Sequence, residues 1–306
     1  MIASETQLSV TAEVVGVYKM QDDVNERQSQ LEELEESLKL AIVEGFVEVP
    51  MLPEVAHRAL ILAKDPESTA SEMAELVQSD QSLAGHVMRI ANSVAYTPLS
   101  NLVSLQQAIS RLGMNVISEI ALSAVLSAKL FNTPGFEDYV EYNWQHALAT
   151  SLWSKEIARL CKLDVEVSFL AGLLHSIGRP AVLQTILELA KQQNKIVTPE
   201  DVHRLENKYS QRVTELVVTR WKMPTQVLES IKPYNEQEEA AAYKIAAAVH
   251  VGSRFATYML ELAVEDDKET LMQLPVLRVL GLNQEQVEQL FTLEETIQQR
   301  LDGMSL

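Results

Sequence analysis

The sequence has one cysteine, Cys161, among 306 residues, and only ten glycines and ten prolines. A single cysteine excludes an internal disulfide and fits a reducing compartment, so we expect a cytoplasmic protein. No apolar run reaches the roughly 18–20 residues that a membrane-spanning helix requires. The N-terminus also lacks the basic start and apolar block of a secretory signal. We therefore predict no membrane association.

Basic residues are scarce as well: 25 lysines and arginines stand against 43 acids, giving a formal net charge of −18. The acidity is concentrated at the two ends, with −8 on residues 1–50 and −7 on residues 259–306. Such a surface repels phosphate backbones, so we expect no unaided binding of nucleic acid. The acidic ends are either solvated helix faces or docking surfaces for a basic partner.

Several sequence signatures of enzymes are missing. The chain contains no glycine-rich phosphate loop, no serine-nucleophile elbow and no Cys-x-x-Cys pair. Nucleotide binding through a phosphate loop, serine hydrolysis and dithiol redox chemistry are therefore not predicted.

What the chain does have is helix-forming composition and helical spacing. Alanine, leucine, glutamate and glutamine are frequent, and glycine and proline are few. Leu31, Leu34, Leu38 and Ile42 recur at helical intervals and predict an amphipathic helix over 23–44. No stretch alternates apolar and polar residues for long enough to require a sheet. We predict an all-α, compact multi-helix bundle of two lobes packed as one unit.

Three regions are predicted: an N-terminal segment (1–47), a main domain (48–260) and a C-terminal helical extension (261–306). A strong turn signal at 132–135 divides the main domain into lobes 48–133 and 134–260. Breakers and caps predict helices over 54–64, 70–78, 81–95, 115–130, 139–161, 165–176, 199–221, 224–232, 237–260 and 284–300.

Two of the six histidines have an informative context. Residues 169–179 read FLAGLLHSIGR, which places His175 at the end of an apolar helix, and residues 144–150 read WQHALAT around His146. Both segments resemble the HD superfamily of metal-dependent phosphohydrolases. That resemblance implies a helix ending in a His-Asp pair, and histidines and carboxylates that hold divalent metal against a phosphoester.

The upstream half and the segment after the second histidine contain several further motifs: LPEVA (52–56), DQSL (80–83), RIANS (89–93), VSLQQAI (103–109), LG (112–113) and WKMP (221–224). These motifs are similar to those of the HDOD subfamily and occur in its order, which makes the resemblance more specific. The resemblance covers about residues 48–260 and implies a signalling module.

The chain departs from this pattern at the positions that the resemblance assigns to metal ligands. Ser176 stands where the HD pair needs aspartate, and Ser253 stands where a late aspartate is usual. Paired histidines are replaced by Lys232, Pro233 and Tyr234, and residues 209–213 also lack the histidine often found there. Only His146 and His175 remain, and two imidazoles without a carboxylate are a poor site for Mg²⁺ or Mn²⁺. We therefore expect no catalytic residue, no bound metal and no cofactor.

Three functions remain open from the sequence. The first is a non-catalytic signalling module that contacts other signalling proteins in trans, with the 23–44 and 284–300 helices as candidate contact segments. The second is a metal-dependent phosphohydrolase acting on a nucleotide or phosphoester. The third is a receptor for a small anion in a vestigial cleft, for which Arg179 is the candidate contact. The sequence does not predict an oligomeric state.

Overall fold

The computed structural model describes residues 27–96, 102–127, 130–233, 241–262 and 267–304, and within these ranges the chain is all-α without strands. No single helix there is long and apolar enough to span a membrane; by length and composition only the bent pair Leu105–Leu112 and Met114–Leu126 passes, when its two halves are combined. The helices are α1 (27–44), α2 (Glu54–Lys64), α3 (Ala70–Gln78), α4 (Gln81–Ala91), α5 (Leu105–Leu112), α6 (Met114–Ser127), α7 (Glu137–Cys161), α8 (Val165–Leu174), α9 (Gly178–Gln193), α10 (Pro199–Arg220), α11 (Thr225–Ser230), α12 (Ala241–Met259), α13 (Lys268–Met272), α14 (Leu277–Leu280), α15 (Gln284–Phe291) and α16 (Glu294–Met304).

Helix α7 organises the second lobe by packing against both α8 and α12. Two glycines allow this close approach. A Cβ on Gly172 of α8 would lie 2.7 Å from Cα of Ser151, and one on Gly252 of α12 would lie 2.6 Å from Oγ of Ser154. The backbones of α8 and α12 can therefore lie directly against α7, which sets the positions of the histidines described below.

The two lobes form one unit through a buried ion pair and the C-terminal helix. Glu119 of α6 lies 2.5 Å from Lys155 of α7, and both side chains are nearly inaccessible to solvent. Helix α16 contacts both lobes, because Arg300 pairs with Glu156 at 2.8 Å and Gly303 accepts a hydrogen bond from Arg89. These contacts agree with the prediction of two lobes packed as one unit.

Helix α1 packs against its own chain. Leu34, Leu38 and Ile42 are buried in the common core, and Glu35 forms ion pairs with Lys208 and Arg204 of α10. Residues 23–26 of the predicted helix lie outside the described ranges. Since the apolar face of α1 is already covered, it is not a free surface for a partner in this structure.

Two predicted helices differ from the observed ones by more than two residues. The helix expected over 81–95 ends at Ala91, because the Asn92 side chain binds both the N–H and the carbonyl of Leu102 (2.7 and 3.0 Å) and turns the chain. The helix expected over 284–300 is two helices, α15 and α16, separated at 292–293. Other ends differ by one or two residues, as at α8, which ends at Leu174 rather than at 176. The predicted end of α6 near 130 stays a prediction, because residues 128–129 lie outside the described ranges.

Candidate functional site

The fold brings His146 and His175 together at the contact of α7 and α8. Their ring centroids are 5.9 Å apart, and the ring planes are inclined by 54°. His175 caps the C-terminus of α8, directly after its apolar segment. The structure therefore brings together the two histidines that the sequence analysis singles out.

Each imidazole uses one ring nitrogen for a hydrogen bond within the protein. The hydroxyl of Thr257 donates to the carbonyl of Ser253 at 2.9 Å, so Nε2–H of His146 donates to Thr257 Oγ1 at 3.2 Å. Nδ1–H of His175 donates to the carbonyl of Gly172 at 2.7 Å. These bonds assign the tautomers and leave Nδ1 of His146 and Nε2 of His175 unprotonated.

Burial keeps both histidines neutral. It lowers the pKa of His175 to about 4, helped by the proximity of His146, and it lowers the pKa of His146 as well. Both effects follow from the cost of placing a cation in a poorly solvated site. Near pH 7 the pair is therefore a set of neutral hydrogen-bonding groups.

The donor set around this pair does not fit a hard divalent cation. In the part of the chain that the structure describes, no three His, Cys, Asp or Glu side chains are grouped as metal ligands. Ser176 and Ser253 stand where the family resemblance expects aspartates, and a neutral hydroxyl is a weak ligand for Mg²⁺ or Mn²⁺. Arg179 adds a positive charge close enough to lower the pKa of both histidines. We therefore derive no reaction step through a metal.

Arg179, predicted as a candidate anion contact, is directed at protein groups. Its guanidinium lies 3.5 Å from the carboxylate of Glu206 and 3.5 Å from the side-chain oxygen of Asn207. An anion would therefore compete with a carboxylate for this guanidinium. Of the substituted positions, Lys232 is exposed, and Tyr234 lies outside the described ranges.

Glu206 is a buried acid with a raised pKa that the sequence analysis did not predict. Its side chain is 0% exposed, it accepts a short hydrogen bond from the hydroxyl of Tyr139, and its Oε1 has no hydrogen-bond partner among the described residues. Burial raises its pKa to about 7. A signal was present: Glu206 lies four residues after Val202 and seven before Val213, on the buried stripe of α10.

A sequence profile decides the family. The profile of the HDOD domain matches residues 49–237, which is more than half of the chain. The chain belongs to the HDOD domain family. The family motifs noted in the sequence fall within the matched range, while the C-terminal extension lies outside it, so the predicted domain limits at 48 and 260 stay predictions.

Solved structures share the HDOD fold at low sequence identity. One of them is a proposed metal-dependent phosphohydrolase from Shewanella amazonensis SB2B. It has a TM-score of 0.69 and 20% sequence identity, and the match covers 90% of this chain and 99% of that chain. An HDOD domain protein of unknown function from Geobacter sulfurreducens has a TM-score of 0.68 and 20% identity, covering 88% and 96%. A proposed signal transduction protein from Marinobacter aquaeolei VT8 has a TM-score of 0.61 and 23% identity, covering 86% and 61%. No curated protein matches the sequence.

Proposed function

We propose that this HDOD protein is a non-catalytic regulatory module, in which the HD metal centre has decayed and signalling proceeds through contacts with other proteins. The observation that carries the proposal is the donor set around His146 and His175. Serines stand at the two expected carboxylate positions, and each imidazole has one nitrogen committed to a hydrogen bond. A phosphohydrolase of this superfamily needs a metal to activate water, and this set offers a hard cation no anionic ligand.

The histidines have a structural use that accounts for their presence without a metal. His146 links α7 to α12 through Thr257, and His175 holds the carbonyl of Gly172 at the end of α8. Neutral, half-buried and hydrogen-bonded imidazoles are stable components of a helical bundle. The acidic surface and the signalling name of the Marinobacter relative support a role in contacts with basic or signalling partners in trans.

The test is elemental analysis of untagged protein together with a phosphoesterase assay supplemented with Mn²⁺, Mg²⁺ or Zn²⁺. We expect no stoichiometric metal and no turnover. Stoichiometric metal with turnover that is lost in His146→Ala or His175→Ala would overturn the proposal and make the chain a phosphohydrolase with a different ligand set.

A variant that restores the missing carboxylates tests the same proposal by a gain of metal binding. Ser176→Asp combined with Ser253→Asp returns a carboxylate to each expected ligand position. We expect this double variant to bind Mn²⁺ more tightly than the wild type, while the isosteric Ser176→Asn with Ser253→Asn does not. Equal Mn²⁺ affinity in the wild type and both variants would mean that the serines are not the reason for weak metal binding.

A further inference from the structure

A surface cavity of about 340 Å³ lies between the beginning of α7 and the beginning of α10, outside the histidine pair. This volume lies within the range of small-molecule sites, roughly 300–1,000 Å³. Its lining combines aromatic rings, carboxylates and small apolar groups: Gly135, Phe136, Glu137, Asp138, Tyr139, Pro199, Val202 and His203.

The aromatic wall has a defined geometry. The rings of Tyr139 and His203 meet edge to face, with centroids 5.3 Å apart and planes inclined by 87°. The hydroxyl of Tyr139 is fixed because it donates to the buried carboxylate of Glu206. Above about pH 7, where Glu206 is ionised, the phenol of Tyr139 donates to a carboxylate and its ring becomes electron-richer, and an electron-rich ring face attracts cations.

The charge of the cavity has the sign that a cation requires. Asp138 is exposed and lines it, and no lysine or arginine is among the lining residues. Glu137 also lines it, and its carboxylate accepts a hydrogen bond from the N–H of Gly135 at 2.9 Å. The start of α7 contributes only about half a positive charge, less than the carboxylate of Asp138. The start of α10 is occupied by its own capping box, and the guanidinium of Arg27 beside this cap is paired with Asp201 at 3.6 Å.

We propose that this cavity binds a small organic cation of the quaternary ammonium type, with the cationic head against Tyr139 and His203 and its charge balanced by Asp138. Aromatic walls with nearby carboxylates are a favourable environment for such heads, which offer no hydrogen-bond donors. Tyr139 is hydrogen-bonded to Glu206, and Glu206 is hydrogen-bonded to Arg179. These two hydrogen bonds link the cavity to Arg179, which lies near the histidine pair. This proposal does not depend on whether the metal centre has decayed.

The experiment is a ligand-observed NMR titration of the full chain with choline at about pH 8. The decisive comparison is its neutral isostere, which has a quaternary carbon in place of the nitrogen and the same shape. We expect saturable choline binding and about tenfold weaker binding of the isostere, since only the cation is attracted by the ring faces and carboxylates. Equal binding of both compounds, or no saturable binding of choline, would overturn the proposal.

Variants locate the binding. His203→Ala removes an exposed ring, and we expect it to weaken choline binding about tenfold without a loss of fold; Asp138→Asn should weaken it about threefold. Tyr142→Ala is the matched control, since Tyr142 is on the same helix, is 43% exposed and does not line the cavity. Binding that is unchanged in both cavity variants, or reduced equally in Tyr142→Ala, would contradict the assigned site. Either result would leave the proposed regulatory function untouched.

Discussion

Two polar clusters in the second lobe differ in chemistry although both depend on α7. The first joins His146 and His175, two half-buried bases whose pKa values are lowered. The second joins Tyr139, Glu206 and Arg179 around a buried acid whose pKa is raised. Burial drives both clusters toward their neutral forms, one by releasing a proton and the other by keeping one. The sequence motifs around the two histidines identify the first cluster. The second cluster, which contains the buried carboxyl of Glu206, has no such motif.

We expect the largest loss of stability from a substitution at Gly178, which lies between the two clusters. Gly178 lies between His175 and Arg179, and a Cβ there would be 2.1 Å from the carbonyl oxygen of Ser210. We expect Gly178→Ala to lower the free energy of unfolding by about 3 kcal/mol or more, because a backbone atom cannot move aside as a flexible side chain can. Denaturant titration measures this change.

The control is an alanine substitution at another helical glycine. Gly85 lies inside α4, and nothing is within 4 Å of a Cβ built there. We expect Gly85→Ala to be neutral or to stabilise the protein by up to about 1 kcal/mol. Similar destabilisation by both substitutions would mean that the close contact of α9 with α10 is not what Gly178 provides.

The acid cluster predicts a stability that falls as the pH rises. The carboxyl of Glu206 ionises at its ordinary pKa of 4.5 when unfolded, but keeps its proton until about pH 7 in the folded protein. Between these values the folded state binds more protons, so folding loses roughly 3 kcal/mol of stability as the pH rises. Glu206→Gln should remove this loss, and the difference from the wild type, measured by denaturation across this range, isolates the contribution of Glu206. A constant difference at all pH values would contradict it.

The base cluster predicts the opposite slope. The imidazole of His175 ionises near its ordinary pKa of 6.5 when unfolded and only at about 4 when folded. Its stabilisation is complete above about 6.5 and is lost as the pH falls toward 4, by roughly 3 kcal/mol. His175→Asn keeps a donor for the carbonyl of Gly172 and should remove this acid sensitivity. His203→Asn, at an exposed position, is expected to leave it unchanged; equal effects would mean that burial is not the cause.

The two clusters also show which features the sequence could predict. Local signals predicted where α3, α4 and α8 begin, since Thr69, Asp80 and Asp164 cap these helices, although the ends of α4 and α8 were misplaced. The pairing of Glu206 with Tyr139 joins residues 67 positions apart and follows no local rule, so only the three-dimensional contact of these side chains reveals it. The end of α4 was misplaced for the same reason, because the Asn92 side chain bonds the backbone ten residues later.

The smallest expected effect concerns the hydrogen bond that assigns the tautomer of His146. Thr257→Val keeps the shape of the side chain but removes the acceptor of Nε2–H, which lies 3.2 Å away. We expect a loss of about 1 kcal/mol in the free energy of unfolding, the net value of one partly buried hydrogen bond. Thr219→Val is the control, because Thr219 is exposed and its hydroxyl bonds within α10; it should cost about 0.5 kcal/mol or less.

The ¹⁵N shifts of His146 report the tautomer directly: a mixture of Nδ1–H and Nε2–H forms in Thr257→Val, beside a single form in the wild type, would show that Thr257 fixes the ring. An unchanged tautomer would mean that the carbonyl of Ser253, which also acts on His146, is sufficient by itself.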